Sequence, residues 1–222
     1  MSATEEIESR FLKDIKGHQL EIIRDDGVYR HVKCRTPGTY CYSFEIITWP
    51  GWLCYTGDMG SYTFQRLEDM FEFFRCRVPS ASRKLQINTG YWAEKVQAAD
   101  KHGKIQEFDA DKFRSRLLEN INDRDFEDED AAELKAALTS EVLDAVDDLD
   151  ERGARDLADS FTFKGREVFH DLWDFDFQEY THHFVWCCYA IAWTILKYDA
   201  LKSEPVADAI RAFGGKVEGG AA

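Results

Sequence analysis

The chain lacks the cysteine spacing that marks a zinc site or a redox motif. Its six cysteines contain no CxxC pattern, and the only close pair is adjacent; they are Cys34, Cys41, Cys54, Cys76, Cys187 and Cys188. Cysteines without such a pattern are typical of free thiols in a reducing compartment, where they behave as small hydrophobic residues.

Long apolar runs are absent as well. The longest, FVWCCYAIAW at 184–193, is about half of the ~20 residues that a membrane-spanning helix needs. The N-terminal stretch MSATEEIESR lacks the basic and apolar regions of a signal peptide. Together these features predict a cytoplasmic protein.

Basic charge is scarce. The 28 Lys and Arg residues are outnumbered by 42 Asp and Glu residues, which gives a formal net charge of −14. Such a chain is repelled by nucleic acids and anionic membranes, so direct binding to either is not expected, and basic proteins are the charged partners that it favours. What the chain does have is 44% hydrophobic and 14% aromatic residues, enough for a packed core.

The first third of the chain has the pattern of an antiparallel β-meander. The runs QLEIIR, VYRHVKCR, YCYSFEIITW and WLCYTGD are separated by the turn sequences DDG, PGT and PG, and SYTF follows. This spacing predicts four or five strands. Helical periodicity predicts helices packed against them at 4–16, 64–77, 91–101, 110–122 and 178–202. The predicted fold class is therefore α+β.

The predicted organisation is one domain with an insertion, the default for a chain of 222 residues. A strand-rich core covers 1–122, and an acidic helical insertion covers 123–160. C-terminal helices at 161–222 complete the core.

Negative charge is concentrated in this insertion. From Glu119 to Asp159 there are 16 acidic and 4 basic residues, whereas the rest of the chain has 26 acidic and 24 basic residues. An apolar stripe predicts one helix here, about 37 Å long from residue 127 to 151. Along this helix the net negative charges would be spaced about 3.7 Å apart, close to the ~3.4 Å between successive phosphate charges along one DNA strand. The candidate protein-binding residues are Glu127, Asp128, Glu129, Asp130, Glu133, Glu141, Asp144, Asp147, Asp148, Asp150 and Glu151.

Two interpretations of these carboxylates stay open. The first is a solvated helix face, because the helix dipole favours acids in the first turn, where Asp130 and Glu133 resemble a capping box. The dipole disfavours the acids of DAVDDLDE at 144–151, at the other end of the predicted helix, so they favour the second interpretation, a protein-binding surface. A calcium loop is not predicted, because DFEDED at 125–130 has no glycine at its sixth position.

Two further groups have part of the chemistry of a site. TGDMG at 56–60 places Asp58 between two glycines, although a tight strand connection explains both glycines. His183 and Cys187 lie one helical turn apart and form half of a zinc site, but no spacing selects the other half.

A third group alternates carboxylates with aromatic residues. The pattern fits either an acid–base pair in an apolar pocket or an extended segment with its aromatic residues inward and its acids outward. Its acids are Asp171, Asp174, Asp176 and Glu179. No catalytic residue, metal or cofactor is predicted from these patterns.

Four segments together resemble a family of uncharacterised proteins encoded by temperate bacteriophages and prophages of proteobacteria. They are TGDMGSYTF (56–64), DMFEFFR (69–75), INTGYWAEK (87–95) and EYTHHFVWCCYAIAW (179–193). The resemblance covers the strand-rich half and the last long helix, and it carries no fold, activity or catalytic residue. It implies a bacterial host cell, where small acidic phage proteins often block host machines that handle nucleic acid.

The resemblance and the charge lead to three hypotheses. The preferred one is a non-enzymatic counter-defence protein, anti-CRISPR-like in role, whose acidic surface occupies the basic cleft of a CRISPR effector or restriction enzyme. The first alternative is an enzyme acting on a nucleotide or nucleic-acid-linked substrate, with a site at Asp58 near His183 or around Asp174. The second is a non-catalytic oligomeric accessory protein, for example a homodimer.

Overall fold

The computed structural model describes residues 3–75, 85–101, 103–122 and 128–203. The chain divides into two compact units. The first, which we call the sheet unit, comprises Met1–Ile105 and Thr181–Ala222, and the second, the acidic unit, comprises Gln106–Tyr180. This division differs from the predicted insertion at 123–160, because α-helix 110–122 and residues 161–180 share a core with the acidic helices.

The strands and helices of the described residues follow each other in the order expected of an α+β chain. The strands are β1 (Gln19–Asp26), β2 (Tyr29–Arg35), β3 (Phe44–Trp49), β4 (Trp52–Gly57), β5 (Gly60–Gln65), β6 (Val96–Ala99), β7 (Gln106–Phe108), β8 (Thr162–Phe163), β9 (Arg166–Glu167) and β10 (Gln178–Tyr180). The helices are α1 (Ala3–Asp14), α2 (Met70–Phe74), α3 (Thr89–Ala93), α4 (Ala110–Asn122), α5 (Asp128–Glu141), α6 (Glu151–Asp159) and α7 (His182–Ser203).

The sheet unit is built on a six-stranded antiparallel sheet with the order β1-β2-β3-β4-β5-β6. The α+β prediction is thereby confirmed, with a meander slightly larger than the four or five strands expected. The extra strand, β6, replaces the second half of the helix predicted at 91–101. Pairing explains this change, because Val96 joins the ladder opposite Phe64 of β5, which helical periodicity does not reveal.

Alternation along the strands buries one face of this sheet. Val32, Ile46 and Tyr55 are each fully buried, whereas the neighbouring residues on the same strands are more exposed. The β4–β5 connection is the tight turn that TGDMG predicts. A Cβ at Gly57 would lie 2.5 Å from the Ser43 carbonyl oxygen, so the close approach of these two segments requires glycine.

Helix α7 supplies much of the core of the sheet unit. It begins at His182 rather than at 178, because residues 178–180 form strand β10 and Thr181 accepts a hydrogen bond from the Phe184 N–H. Residues from Phe184 to Ile195 are buried almost without interruption, as its apolar sequence predicts. None of the helices in the described ranges combines the length and the apolar character that crossing a bilayer requires.

A partly buried ion pair joins β2 to the start of α2. The Arg30 guanidinium donates two hydrogen bonds of 2.8 Å to the carboxylate of Asp69, which also accepts the Phe71 N–H as an N-cap. The same guanidinium lies 4.7 Å from the Phe71 ring centroid and 5.7 Å from that of Tyr198. Although burial opposes ionisation, the hydrogen bonds from Arg30 and from the Phe71 N–H keep the pKa of Asp69 below its usual value.

The acidic unit has its own hydrophobic core. Strands β7 and β10 pair, α4 begins at its predicted cap Asp109, and three apolar residues of α4 face inward, as predicted: Phe113, Leu117 and Ile121. The predicted apolar stripe also lies in this core, with Leu134, Leu138, Val142 and Val146 buried.

The continuous helix predicted through this stripe is wrong. Helix α5 ends at Glu141, a 3₁₀ helix spans Leu143–Asp148, and α6 starts only at Glu151. Leu149 has an extended backbone, with φ −115° and ψ 150°, so no single axis runs from 127 to 151. The comparison of its charge spacing with a DNA strand therefore does not hold.

Candidate functional site

The acidic unit carries all of the net negative charge of the chain. Its residues, Gln106–Tyr180, include 24 acidic and 9 basic side chains, a net charge of −15. The remaining residues include 18 acidic and 19 basic side chains, a net charge of +1. The division into compact units thus coincides with a division of charge, which makes the acidic unit the candidate site.

Asp130 and Glu133 do not form the predicted capping box. Helix α5 begins at Asp128, so Asp130 lies inside it, and the predicted capping box is wrong. Asp130 and Glu133 instead bind the ammonium group of Lys164, at 2.7 and 2.9 Å, and raise its pKa. Lys164 occupies the tight β8–β9 turn with Gly165, where both residues have positive φ.

Asp147 belongs to a second ion pair. Its carboxylate lies 2.8 Å from the guanidinium of Arg114, which also contacts Asp111 at 3.1 Å and donates to the Leu143 carbonyl at 3.1 Å. The hydrogen bond with Asp147 is the main reason that the pKa of Arg114 is raised. This pair connects α4 with the 3₁₀ helix that begins at Leu143.

Asp150 and Glu151 lie at the start of a helix and not at its end. Asp150 is the N-cap of α6, and its Oδ1 accepts the Gly153 N–H at 2.8 Å. Glu151 follows in the first turn and pairs with Arg155 at 2.7 Å. Because the chain starts a new helix here, the dipole favours these two of the carboxylates that the sequence placed at a helix end.

Three predicted acids remain free. Glu141, Asp144 and Asp148 are exposed, and none has an ion-pair partner among the described residues. Glu127 lies outside the described residues, as do the side chains of Asp128 and Glu129. Of the eight predicted acids with described side chains, the structure therefore uses five internally and leaves three available to a partner.

Arg155 organises the acidic unit and was not identified from the sequence. It is buried, and its guanidinium donates to the carbonyls of Leu172 and Phe175 and lies 4.5 Å from the Phe177 ring centroid. Glu151 balances its charge. The only sequence signal for this arrangement is the i,i+4 spacing of Glu151 and Arg155.

The side-chain amide of Gln178 donates a hydrogen bond of 2.8 Å to Glu151 Oε2. This bond holds Glu151, the ion-pair partner of Arg155, in place. This bond is the largest cause of the lowered pKa of Glu151; burial opposes the shift and Arg155 adds to it. The carboxylate is consequently ionised and oriented at neutral pH.

Lys112 forms ion pairs with two of the four carboxylates that alternate with aromatic residues. Its ammonium lies 3.1 Å from Asp176 and 3.3 Å from Glu179. Burial acts to lower the pKa of Lys112, but hydrogen bonds to both acids outweigh it and raise that pKa.

The other two, Asp171 and Asp174, are exposed. The four carboxylates are therefore exposed, as one of the two interpretations predicted. The rest of that interpretation is wrong at Leu172–Asp174, which form a 3₁₀ helix from which the Trp173 ring projects into solvent. The four carboxylates do not form an apolar pocket that would hold an acid–base pair.

Of the groups singled out in the sheet unit for an enzyme site or a zinc half-site, Asp58 and Cys187 have structural partners. Asp58 Oδ2 accepts the Tyr42 N–H at 2.9 Å, in a turn where Tyr42 has a positive φ of 56°. Cys187 is buried with its Sγ 3.6 Å from the Met59 carbonyl oxygen, and burial raises the pKa of this thiol, which disfavours the thiolate that zinc binds. His183, one turn earlier, is exposed.

Metal-binding geometry is missing from the described parts of the chain, where no group of three or more His, Cys, Asp or Glu side chains converges. The five described cysteines, Cys34, Cys41, Cys54, Cys187 and Cys188, are free thiols.

No family model, curated protein or solved structure matches this chain.

Proposed function

We propose that this protein is a phage-encoded, non-enzymatic counter-defence factor whose acidic unit binds the basic cleft of a bacterial complex that handles nucleic acid. A CRISPR effector or a restriction enzyme is the proposed kind of target. The observation that supports this proposal is the separation of charge, −15 on residues 106–180 and +1 on the rest of the chain. A uniform excess of acids would serve solubility equally well, but a segregated one creates a directed field.

The internal ion pairs strengthen the proposal. Lys112, Arg114, Arg155 and Lys164 each contact carboxylates inside the acidic unit, so four of its nine cations are engaged in holding the unit together. The surplus carboxylates remain in water, where they attract a basic partner. Association should then be fast and sensitive to salt, because the Debye length is only about 8 Å at physiological ionic strength.

The test removes charge without disturbing these pairs. The variant Glu141→Gln/Asp144→Asn/Asp148→Asn changes the three exposed, unpaired acids of the predicted set. A matched control, Glu6→Gln/Glu21→Gln/Glu68→Gln, makes the same change in net charge at exposed positions of the sheet unit. Binding to purified CRISPR effector complexes and restriction enzymes is measured at low and high salt, together with displacement of their nucleic acid.

We expect the first variant to weaken binding about 10-fold at low salt, since three charges near a basic cleft contribute roughly 0.5 kcal/mol each. The control should retain nearly the full affinity. Equal losses in both variants would contradict the assignment to the acidic unit. Binding that does not change with salt would contradict the electrostatic mechanism.

A further inference from the structure

The acidic unit presents a tryptophan to solvent. Trp173 is 72% exposed, on the short 3₁₀ helix Leu172–Asp174. The other tryptophans, Trp49, Trp52, Trp92, Trp186 and Trp193, are buried or half-buried. Single exposed aromatic residues occur on many surfaces, so exposure alone does not mark a binding site.

The backbone around Trp173 is held firmly from within the unit. Arg155 donates hydrogen bonds to the carbonyls on both sides of the tryptophan, those of Leu172 and Phe175. Asp171 enters the turn in the left-handed region, with φ 59° and ψ 36°, and Leu172 is buried. A side chain that projects from a fixed backbone loses little conformational entropy when a partner binds it.

The surroundings of Trp173 are negative. Asp171 and Asp174 are exposed and make no ion pair with any described residue. Among the described residues, the one cation near the ring is Arg155, 5.9 Å from its centroid, and the charge of that arginine is balanced by Glu151. An aromatic face and two free carboxylates on one rigid turn match the two preferences of a guanidinium, which stacks on aromatic rings and forms forked hydrogen bonds with carboxylates.

We propose that Trp173 is the anchor of the acidic surface and that it binds an arginine side chain of the basic partner, with Asp171 and Asp174 accepting hydrogen bonds from the guanidinium. This inference rests on the proposed function, because it takes the partner to be basic. It adds a specificity that charge alone does not give. Arginine is preferred over lysine, because the ammonium group of lysine is compact and strongly hydrated.

Two peptides of equal charge test this preference. Deca-arginine and deca-lysine are titrated against the full-length protein at low ionic strength, with affinities from calorimetry. In the wild-type protein we expect deca-arginine to bind about 3- to 10-fold more tightly than deca-lysine. Trp173→Ala should abolish that ratio, whereas Trp173→Phe should preserve part of it. Tyr40→Ala is the matched control, because Tyr40 is 75% exposed but belongs to the sheet unit.

Fluorescence gives an independent measurement. Acrylamide should quench Trp173 more readily than the less exposed tryptophans, and deca-arginine should protect it. If Trp173→Ala leaves the arginine-to-lysine ratio unchanged in a protein whose circular dichroism is native, the anchor is refuted. The charge variant Glu141→Gln/Asp144→Asn/Asp148→Asn separates this outcome from failure of the proposed function. If the charge variant binds both peptides as tightly as the wild-type protein does, the acidic surface is contradicted. If the charge variant binds both peptides more weakly but Trp173→Ala keeps the wild-type arginine-to-lysine ratio, only the anchor is contradicted.

Discussion

Each of the two units contains a buried arginine paired with a carboxylate, but the two units differ strongly in net charge. In the described residues each unit buries one arginine beside a phenylalanine ring and pairs it with a carboxylate: Arg30 with Asp69 in the sheet unit, and Arg155 with Glu151 in the acidic unit. The net charge of the sheet unit is +1, and that of the acidic unit is −15.

The difference lies in what else each arginine holds. Arg30 gives both of its terminal nitrogens to one carboxylate, and its Nε is buried with no hydrogen-bond partner among the described residues. Arg155 divides its donors between Glu151 and the carbonyls of Leu172 and Phe175. Arg155 thus links segments of the acidic unit that no strand ladder joins, whereas the sheet unit has a six-stranded ladder in addition to Arg30. The acidic unit should therefore be the more sensitive of the two to loss of its arginine.

The largest expected effect is that of Arg155→Met. The substitution leaves Glu151 without its cation and two carbonyls without donors, so we expect the acidic unit to lose about 3–5 kcal/mol of its free energy of unfolding. Denaturant titration, combined with hydrogen exchange read separately for α6 and for the strands β2–β4, measures this loss.

The control for this prediction is Arg152→Met on the same helix. Arg152 is exposed, and its nearest carboxylate, that of Asp156, lies 3.8 Å away, so the change should stay within about 0.5 kcal/mol. If Arg155→Met lowers protection equally in the strands of the sheet unit, the two units do not unfold separately and the comparison fails.

A smaller effect is expected for Asp150→Ala. The carboxylate of Asp150 satisfies the Gly153 N–H at the start of α6, and its loss should destabilise the acidic unit by about 0.5–2 kcal/mol. The same denaturant titration measures this change. Asp148→Ala, two residues earlier and without a partner among the described residues, is the matched control. A stabilising effect of Asp150→Ala would mean that α5 and α6 tend to merge into one helix.

The smallest expected effect is a pH dependence confined to the sheet unit. The Nε2 of His182 is buried without a hydrogen-bond partner in the described structure. Burial, with smaller contributions from Arg10 and His183, lowers the pKa of His182 below its usual 6.5, while Asp14 opposes the shift. A lowered folded-state pKa gives a contribution to stability that is complete above pH 6.5 and is lost as the pH falls below it.

We therefore expect the free energy of unfolding of the sheet unit to decrease between pH 7 and pH 5, and less so in His182→Gln. Thermal unfolding across that range, in both proteins, measures the difference. His170, the histidine of the acidic unit, is exposed, and His170→Gln is the control. The prediction is contradicted if His182→Gln keeps the full pH slope of the wild-type protein.

Much of the fold was predictable from local patterns. Turn sequences and β-branched runs predicted the first five strands, because hairpin connections depend on residues close in sequence. The cap at Asp109 and the inward face of α4 were predictable for the same reason. Strand β6 was not, since its pairing with β5 joins residues more than thirty positions apart.

The candidate site was only partly predictable. The sequence identified the acidic segment, but it misplaced the helix ends within it, because an uninterrupted apolar stripe fits one helix as well as three successive ones around a common core. Trp173 gave no sequence signal, since the alternation of aromatic and acidic residues around it predicts a buried ring.

The amino-acid sequence by itself determined the amount of negative charge, its confinement to the middle of the chain and the inward faces of α4 and of the apolar stripe that follows it. Only the tertiary structure decided which carboxylates form ion pairs with Arg114, Arg155 and Lys164 and which stay free among the described residues. The physical reason is that ion pairs depend on distances between side chains that lie far apart in the sequence. The same packing decides that Leu172 turns inward while Trp173 remains in solvent.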